Sequence, residues 1–269
     1  LTRVREALFN AIPATLKIAV AVGIGLFITF IGLQNAKLVI GNKSTLVSIT
    51  NFTKDFHTAG ICSLLAVIGL LITVILYIKK VPGSILIGIL ATWVIGMLCQ
   101  ITGIYVPDFK TGYYSLFPTF AMTDFSKLGE TFGKCFQYDL GKVGIFNFIA
   151  VVLSFLFVDL FDTLGTLVGV STKAGMLNEE GKLPGIKPAL MADAVATTAG
   201  AVLGTSTVTT FVESSSGVAA GGRTGLTAVV SGFLFLISTL FAPLFTAIPS
   251  FATAPALIMV GFLMFGAIS

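Results

Sequence analysis

Charge is what this sequence has least of. Asp, Glu, Lys and Arg together supply 10% of its 269 residues, against roughly 25% in a soluble domain, and its mean hydropathy is +1.01. That scarcity excludes an ordinary soluble fold. Cysteine occurs three times, at Cys62, Cys99 and Cys135, without Cys-x-x-Cys spacing, so neither a disulfide framework nor a zinc site is indicated. No metal or cofactor is expected, and the chain reads as a non-enzyme. Histidine occurs once, at His57 beside Asp55 in a polar loop, and is given no role. Lys and Arg outnumber Asp and Glu by 16 to 12, but they are scattered over loops without a basic face. Nucleic acid is thereby excluded as a partner, and lipid headgroups account for the basic residues.

Apolar stretches of helical length recur along the whole chain, each near the ~20 residues needed to cross a bilayer. They are continuous and rich in Leu, Ile, Val, Gly and Phe, whereas a β-barrel shows alternating segments of ~10 residues. The fold class is an all-α polytopic membrane protein, with the bilayer as its first partner. Spans are predicted at about 15–33, 59–78, 83–103, 143–170, 188–204, 224–241 and 251–268. An amphipathic lead-in, "LTRVREALFNAIP" with Arg3 and Arg5, suits a membrane surface. The stretch 104–142 carries Asp108, Lys110, Asp124, Lys127, Glu130 and Lys134 and is too charged to span. Short basic loops set orientation: "KKVPG", Arg3, Arg5 and Lys17 fall on one side, taken as cytoplasmic, which puts 104–142 outside. The chain opens at Leu1 without a methionine and stops at Ser269 inside an apolar run, so it is expected to be part of a longer protein. Its first and last spans are both entered through Ala-Ile-Pro, at 11–13 and 247–249. On this topology they enter from opposite sides, as an inverted repeat requires.

A carboxylate at the centre of a membrane helix costs ~2.5 to 3.5 kcal/mol on insertion scales, so its retention calls for a reason. Asp159 and Asp162, in "VDLFDTLGT", stand one turn apart on one helix face. Thr163 and Thr166 lie close to that face. Acids so placed either tie neighbouring helices together or mark a substrate or ion path. Bases to tie them are few: the fourth, sixth and seventh spans hold no Lys or Arg, and Arg223 is the only basic residue after Lys187. The path is therefore preferred. Asp193, near the start of the fifth span, is a weaker candidate, because acids at helix ends are commonly solvated or capping.

Between the fifth and sixth spans lies "TSTVTTFVESSSGVAAGGRTG". Its β-branched half suits extended backbone; Ser214, Ser215 and Ser216 can open a short helix that Gly221 and Gly222 end. An extended strand feeding a half-helix in mid-membrane is allowed only where it faces protein or a watery cavity. Such breaks point to transporter binding sites, since a half-helix start offers free N–H donors. Glu213 would stand at that start. Its acceptors and the adjacent donors make an edge suited to a flat polar ligand.

"DLFDTLGTLVGV", "PALMADAVATTAGAVLGTSTVTTFVESSSGVAAGGRTGLTAVVSG" and "AIPATLKIAVAVGIGLFITFIGLQNAKLV" resemble the guanine/hypoxanthine permeases, the AzgA-like branch of the nucleobase:cation symporters related to the uracil and xanthine permeases. The resemblance covers nearly the whole chain. It implies a fourteen-span fold of two inverted sevens, of which this chain holds the fifth to the twelfth span. Residues 1–142 and 243–269 would belong to a gate domain, and 143–242 to a core domain carrying the substrate site. It implies further that Asp159, Asp162 and Glu213, with Thr163 and Ser214, contact a purine nucleobase, that Asp162 and Glu213 handle a coupling proton, and that the protein works by alternating access in the plasma membrane. A 6-oxopurine presents ring N–H donors, for which carboxylates are apt acceptors. A second copy of the chain is admitted as a partner. The rivals are a channel or anion transporter of the same broad fold, and an intramembrane aspartyl protease. The protease is set aside because its Gly-x-Gly-Asp element is missing.

Overall fold

The computed structural model describes residues 13–108, 112–126, 128–137, 144–178 and 183–265. The expected lead-in helix with Arg3 and Arg5 lies outside them. In chain order the elements are α1 (Ala14–Asn35), a hairpin of β1 (Val39–Asn42) and β2 (Leu46–Ile49), α2 (Ile61–Ile78) and α3 (Ser84–Ile101). These are followed by α4 (Leu128–Thr131), α5 (Ile145–Ala174), α6 (Ile186–Leu203), α7 (Ser214–Ala219), α8 (Gly225–Leu240), α9 (Ala242–Thr246) and α10 (Ser250–Phe265). A π-helical turn, Phe56–Gly60, leads into α2. Helices α1, α2 with its leading turn, α3, α5 and α6 are long and apolar enough to cross a membrane. Their positions agree with the spans expected from sequence.

Of the two remaining spans, α8 has 16 residues, or ~24 Å against a hydrocarbon core of ~30 Å, and α10 is described over Ser250–Phe265. Pro243 explains where α8 stops. It has no N–H to give the Thr239 carbonyl four residues back, and Thr123 supplies the missing donor from its hydroxyl. The Thr123 backbone N–H then donates to the Leu240 carbonyl at 3.0 Å, and its hydroxyl accepts from the Ala242 N–H at 3.1 Å.

The chain divides into two compact units, with boundaries at Ile24/Gly25, Thr123/Asp124, Val218/Ala219 and Leu263/Met264. In the unit built from 25–123 and 219–263, α2 and α3 are clamped by a reciprocal device. Thr73 donates to the Gly69 carbonyl and Thr92 to the Gly88 carbonyl, both at 2.7 Å. Thr92 then fills the space over Gly69, while Thr73 fills the space over Gly88. A methyl group at either glycine would collide with the opposing hydroxyl. Such small residues let helix backbones approach closely in a membrane.

The second half of α1 packs antiparallel on α10 in that unit, Gly32 against Ala254, Leu257 and Ile258, and Gly261 against Thr29. Pro13 and Pro249, from the two Ala-Ile-Pro entries, directly precede α1 and α10. Residues 104–108 and 112–116 are tied down by hydrogen bonds that sequence inspection did not foresee. The Trp93 indole donates to the Leu116 carbonyl at 2.8 Å, and the Tyr105 hydroxyl to the Tyr114 carbonyl at 2.8 Å. His57, given no role above, places Nδ1 2.9 Å from the Ile104 carbonyl.

The other unit, from 124–218 with the start of α1 and Met264, is built on α5. Gly165 on α5 receives Val20 and Ile24, and Gly169 receives Ala21 and Met264. Leu160, Leu164 and Val168 form its apolar core with Ile186. The opposite face of α5, with Phe155 and Val158, is exposed, as suits lipid. Helix α6 closes on Gly204, whose φ of +77° is left-handed and whose missing Cβ makes room for the Thr131 carbonyl.

Candidate functional site

Asp159, Asp162 and Thr166 fall within an arc of about 60° on α5, and Thr163 stands beside them. The structure brings this stripe to α6 and to the non-helical segment after it. Thr163, 1% exposed, is the node. Its hydroxyl donates to Asp193 Oδ2 at 3.3 Å and lies 3.0 Å from the Thr209 hydroxyl. A second tie runs from the Thr197 hydroxyl on α6 to the Val208 carbonyl at 2.6 Å.

Around this node four carboxyls converge from three segments. Asp162 lies within the electrostatic reach of Asp159 on its own helix, Asp193 on α6 and Glu213 ahead of α7. Asp159 and Asp162 are half-buried, Thr163 and Asp193 are buried, and Glu213 and Ser214 are exposed.

Asp193 is the residue that sequence reasoning underrated. It is not a solvated acid at a helix end: it sits eight residues into α6, 6% exposed. Helix α6 begins at Ile186 with Pro188 in its first turn, where a missing N–H costs nothing. Its hydrogen-bond donor is Thr163, thirty residues earlier, and no local pattern reports that distance.

The expected strand before Glu213 is also corrected. Residues 207–211 carry no helix and pair with no strand among the described residues. Val208 and Thr209 meet threonine side chains, which offer no ladder. The only sheet among the described residues is the antiparallel hairpin Val39↔Ile49 to Asn42↔Leu46. Nor are the first amides of α7 free. The N–H groups of Ser214, Ser215 and Ser216 donate to the carbonyls of Phe211, Val212 and Glu213 at 3.2, 3.0 and 2.9 Å. The polar offer of this segment therefore comes from side chains. Among three successive serines, helical phase buries Ser215 and exposes Ser214.

A cavity of about 340 Å³ exists elsewhere, lined within the other unit by Asn35, Lys37, Tyr105, Tyr113, Ser115 and Phe251 among others. It contains none of the four acids. Among the described residues no group of His, Cys, Asp and Glu could hold a metal ion, and the acids lack the donor set of a structural zinc site.

The whole chain, residues 1–269, matches the Permease family of xanthine and uracil permeases. The chain belongs to that family. It is 46% identical to a guanine/hypoxanthine permease of Bacillus subtilis over 98% of this chain and 55% of the relative. It is 45% identical to a putative permease of Methanocaldococcus jannaschii over 98% of this chain and 56% of the relative. An adenine permease of Escherichia coli is 38% identical over 98% of this chain and 54% of the relative. The chain thus spans about half the length of the curated relatives it matches. This permease-family chain is an integral membrane protein, mostly helical, with several membrane-length helices.

Proposed function

We propose that the protein containing this chain imports purine nucleobases, guanine or hypoxanthine first, across the plasma membrane by proton symport with alternating access. The observation that carries the reading is the convergence of Asp159, Asp193 and Glu213 on Asp162. Four carboxyls in a low-dielectric region repel one another and favour binding of a cation, of which a proton is the smallest. The same oxygens accept from the ring N–H groups of a purine. The printed names of the Bacillus subtilis and Escherichia coli relatives support a purine as ligand.

In this reading Glu213 and Asp159 hold the base, assisted by Thr163 and Ser214. Asp162 and Glu213 exchange the proton, and Asp193 orients Thr163. Residues 143–242 form the substrate-bearing core, and 1–142 with 243–269 the gate. The deciding experiment is proton-gradient-driven uptake of labelled hypoxanthine and guanine by the complete protein, beside Glu213→Gln. Uptake competed by unlabelled purine and reduced roughly 10- to 150-fold in the variant is expected, the range for one charge-assisted hydrogen bond worth about 1.5 to 3 kcal/mol. Uptake that never exceeds the external concentration would favour a channel, and indifference to the substitution would remove Glu213 from the site.

A further inference from the structure

Five threonines in the membrane helices follow one rule. Thr29, Thr73, Thr92, Thr172 and Thr198 each donate to the carbonyl four residues earlier, at 2.9, 2.7, 2.7, 2.7 and 2.8 Å. A helix in lipid satisfies a hydroxyl most cheaply this way. Thr166 does not follow it. It is 0% exposed, and among the described residues its hydroxyl has no hydrogen-bond partner, the Asp162 carbonyl four residues back included. Thr172, two turns on in the same helix, obeys, so the exception belongs to the acid stripe and not to α5.

A second exception stands on the segment that brings the fourth acid. Ser215, two residues past Glu213 and 1% exposed, also has a hydroxyl without a partner among the described residues. A buried hydroxyl left without a hydrogen bond is destabilising, and buried polar groups of this kind are ordinarily completed by ordered water.

We infer that Thr166 and Ser215 each hold a buried water, and that these waters hydrogen-bond to the acid cluster around Asp162. Thr166 shares the stripe of Asp159 and Asp162, one turn on. Among the described residues, the charged groups facing Asp162 are Asp159 from α5, Asp193 from α6 and Glu213 ahead of α7. The described side chains that pack on α5 from α1 and the end of α10, Val20, Ala21, Ile24 and Met264, are apolar. Within the described residues, completion of the hydroxyls falls to water and the acids. The two hydroxyls are positioning residues: through water they donate toward the ionised carboxylates and set how readily the cluster takes up its proton.

This inference rests on the reading of the site as a proton-coupled purine carrier. Its test is the pH profile of hypoxanthine uptake by the complete protein and by Thr166→Val, Thr166→Ser and Ser215→Ala. Loss of a donor disfavours the ionised cluster, so the half-maximal pH should move upward by about 1 to 2 units in Thr166→Val and Ser215→Ala. Thr166→Ser, which keeps the hydroxyl, should restore the parental midpoint. Parental midpoints in Thr166→Val and Ser215→Ala, or a Thr166→Ser shift as large as that of Thr166→Val, would overturn the assignment. If Thr166→Val does not accumulate in the membrane, Ser215→Ala, which removes one oxygen, decides by the same criterion. Wild-type uptake with no pH dependence would strike the carrier reading itself, whereas pH-dependent wild-type uptake with unmoved variants strikes only the waters.

Discussion

Gly69→Ala tests the clamp between α2 and α3. The added methyl would overlap Thr92 Oγ1 and come within 2.9 Å of Thr92 Cγ2 and 3.0 Å of its Cβ, so no rotation of Thr92 alone clears it. Thr92 is itself 0% exposed. The helices must part, at the 1 to 3 kcal/mol typical of overpacking (about 2), and a Thr92 that also turns surrenders its bond to the Gly88 carbonyl, worth about 1 kcal/mol more. A loss of about 2 to 4 kcal/mol is expected, read as the unfolding free energy of the purified complete protein in mixed micelles. Thr92→Ala removes the two nearest colliding atoms, Oγ1 and Cγ2, and leaves only the Cβ at 3.0 Å, at the cost of one hydrogen bond and some packing. The double variant should then be no less stable than Thr92→Ala alone, a coupling of at least about 1 kcal/mol. Gly88→Ala with Thr73→Ala should repeat the result by the reciprocity of the contact. Gly232→Ala is the control: nothing stands within 4 Å of its added carbon, and a helix interior gains up to about 1 kcal/mol from the change. A silent Gly69→Ala, or additive effects in the double variant, would refute the clamp.

Thr163→Val should weaken purine binding and stability together, by about 2 to 3 kcal/mol, because one hydroxyl serves both Asp193 and Thr209. Equilibrium purine binding should recover in Thr163→Ser, and no recovery would show that shape, not the hydroxyl, organises the node. Burial pushes the Tyr105 phenol above the usual tyrosine range, with the neighbouring Cys62 and Tyr113 acting in the same direction. A raised acid group contributes stability that is complete below its unfolded value, about 10, and is lost as pH rises through the folded one. Ultraviolet titration should therefore find one phenolate forming late that is absent in Tyr105→Phe; its appearance near pH 10 would contradict the burial.

The membrane helices were legible because a continuous apolar run needs no partner to declare itself. Helix α3, expected at 83–103, is found at Ser84–Ile101, and α5, expected at 143–170, at Ile145–Ala174. The hairpin was not legible. Its strands are four residues each, and its tip, Asn42 to Leu46, turns without Gly or Pro, through Asn42 Oδ1 accepting from the Ser44 and Thr45 amides. Half the site was legible for the same kind of reason. Asp159, Asp162 and Glu213 stand out against hydrocarbon by composition alone. Asp193 and Ser215 needed the third dimension: one is defined by a threonine thirty residues away, the other by a helical phase that three identical serines conceal.

The divided behaviour of the threonines bears on how the chain enters the bilayer. Helices α1, α2 and α3 carry Thr29, Thr73 and Thr92 already satisfied by their own backbone, so each can leave the translocon with these threonines paired. Helix α5 cannot. The polar partners of Thr163, Asp193 and Thr209, lie on chain synthesised after it, so its stripe must wait, incompletely paired, until α6 and the following segment arrive. A ribosome paused between Ala174 and Ile186 would leave an inserted helix whose Thr163 still lacks both of these partners.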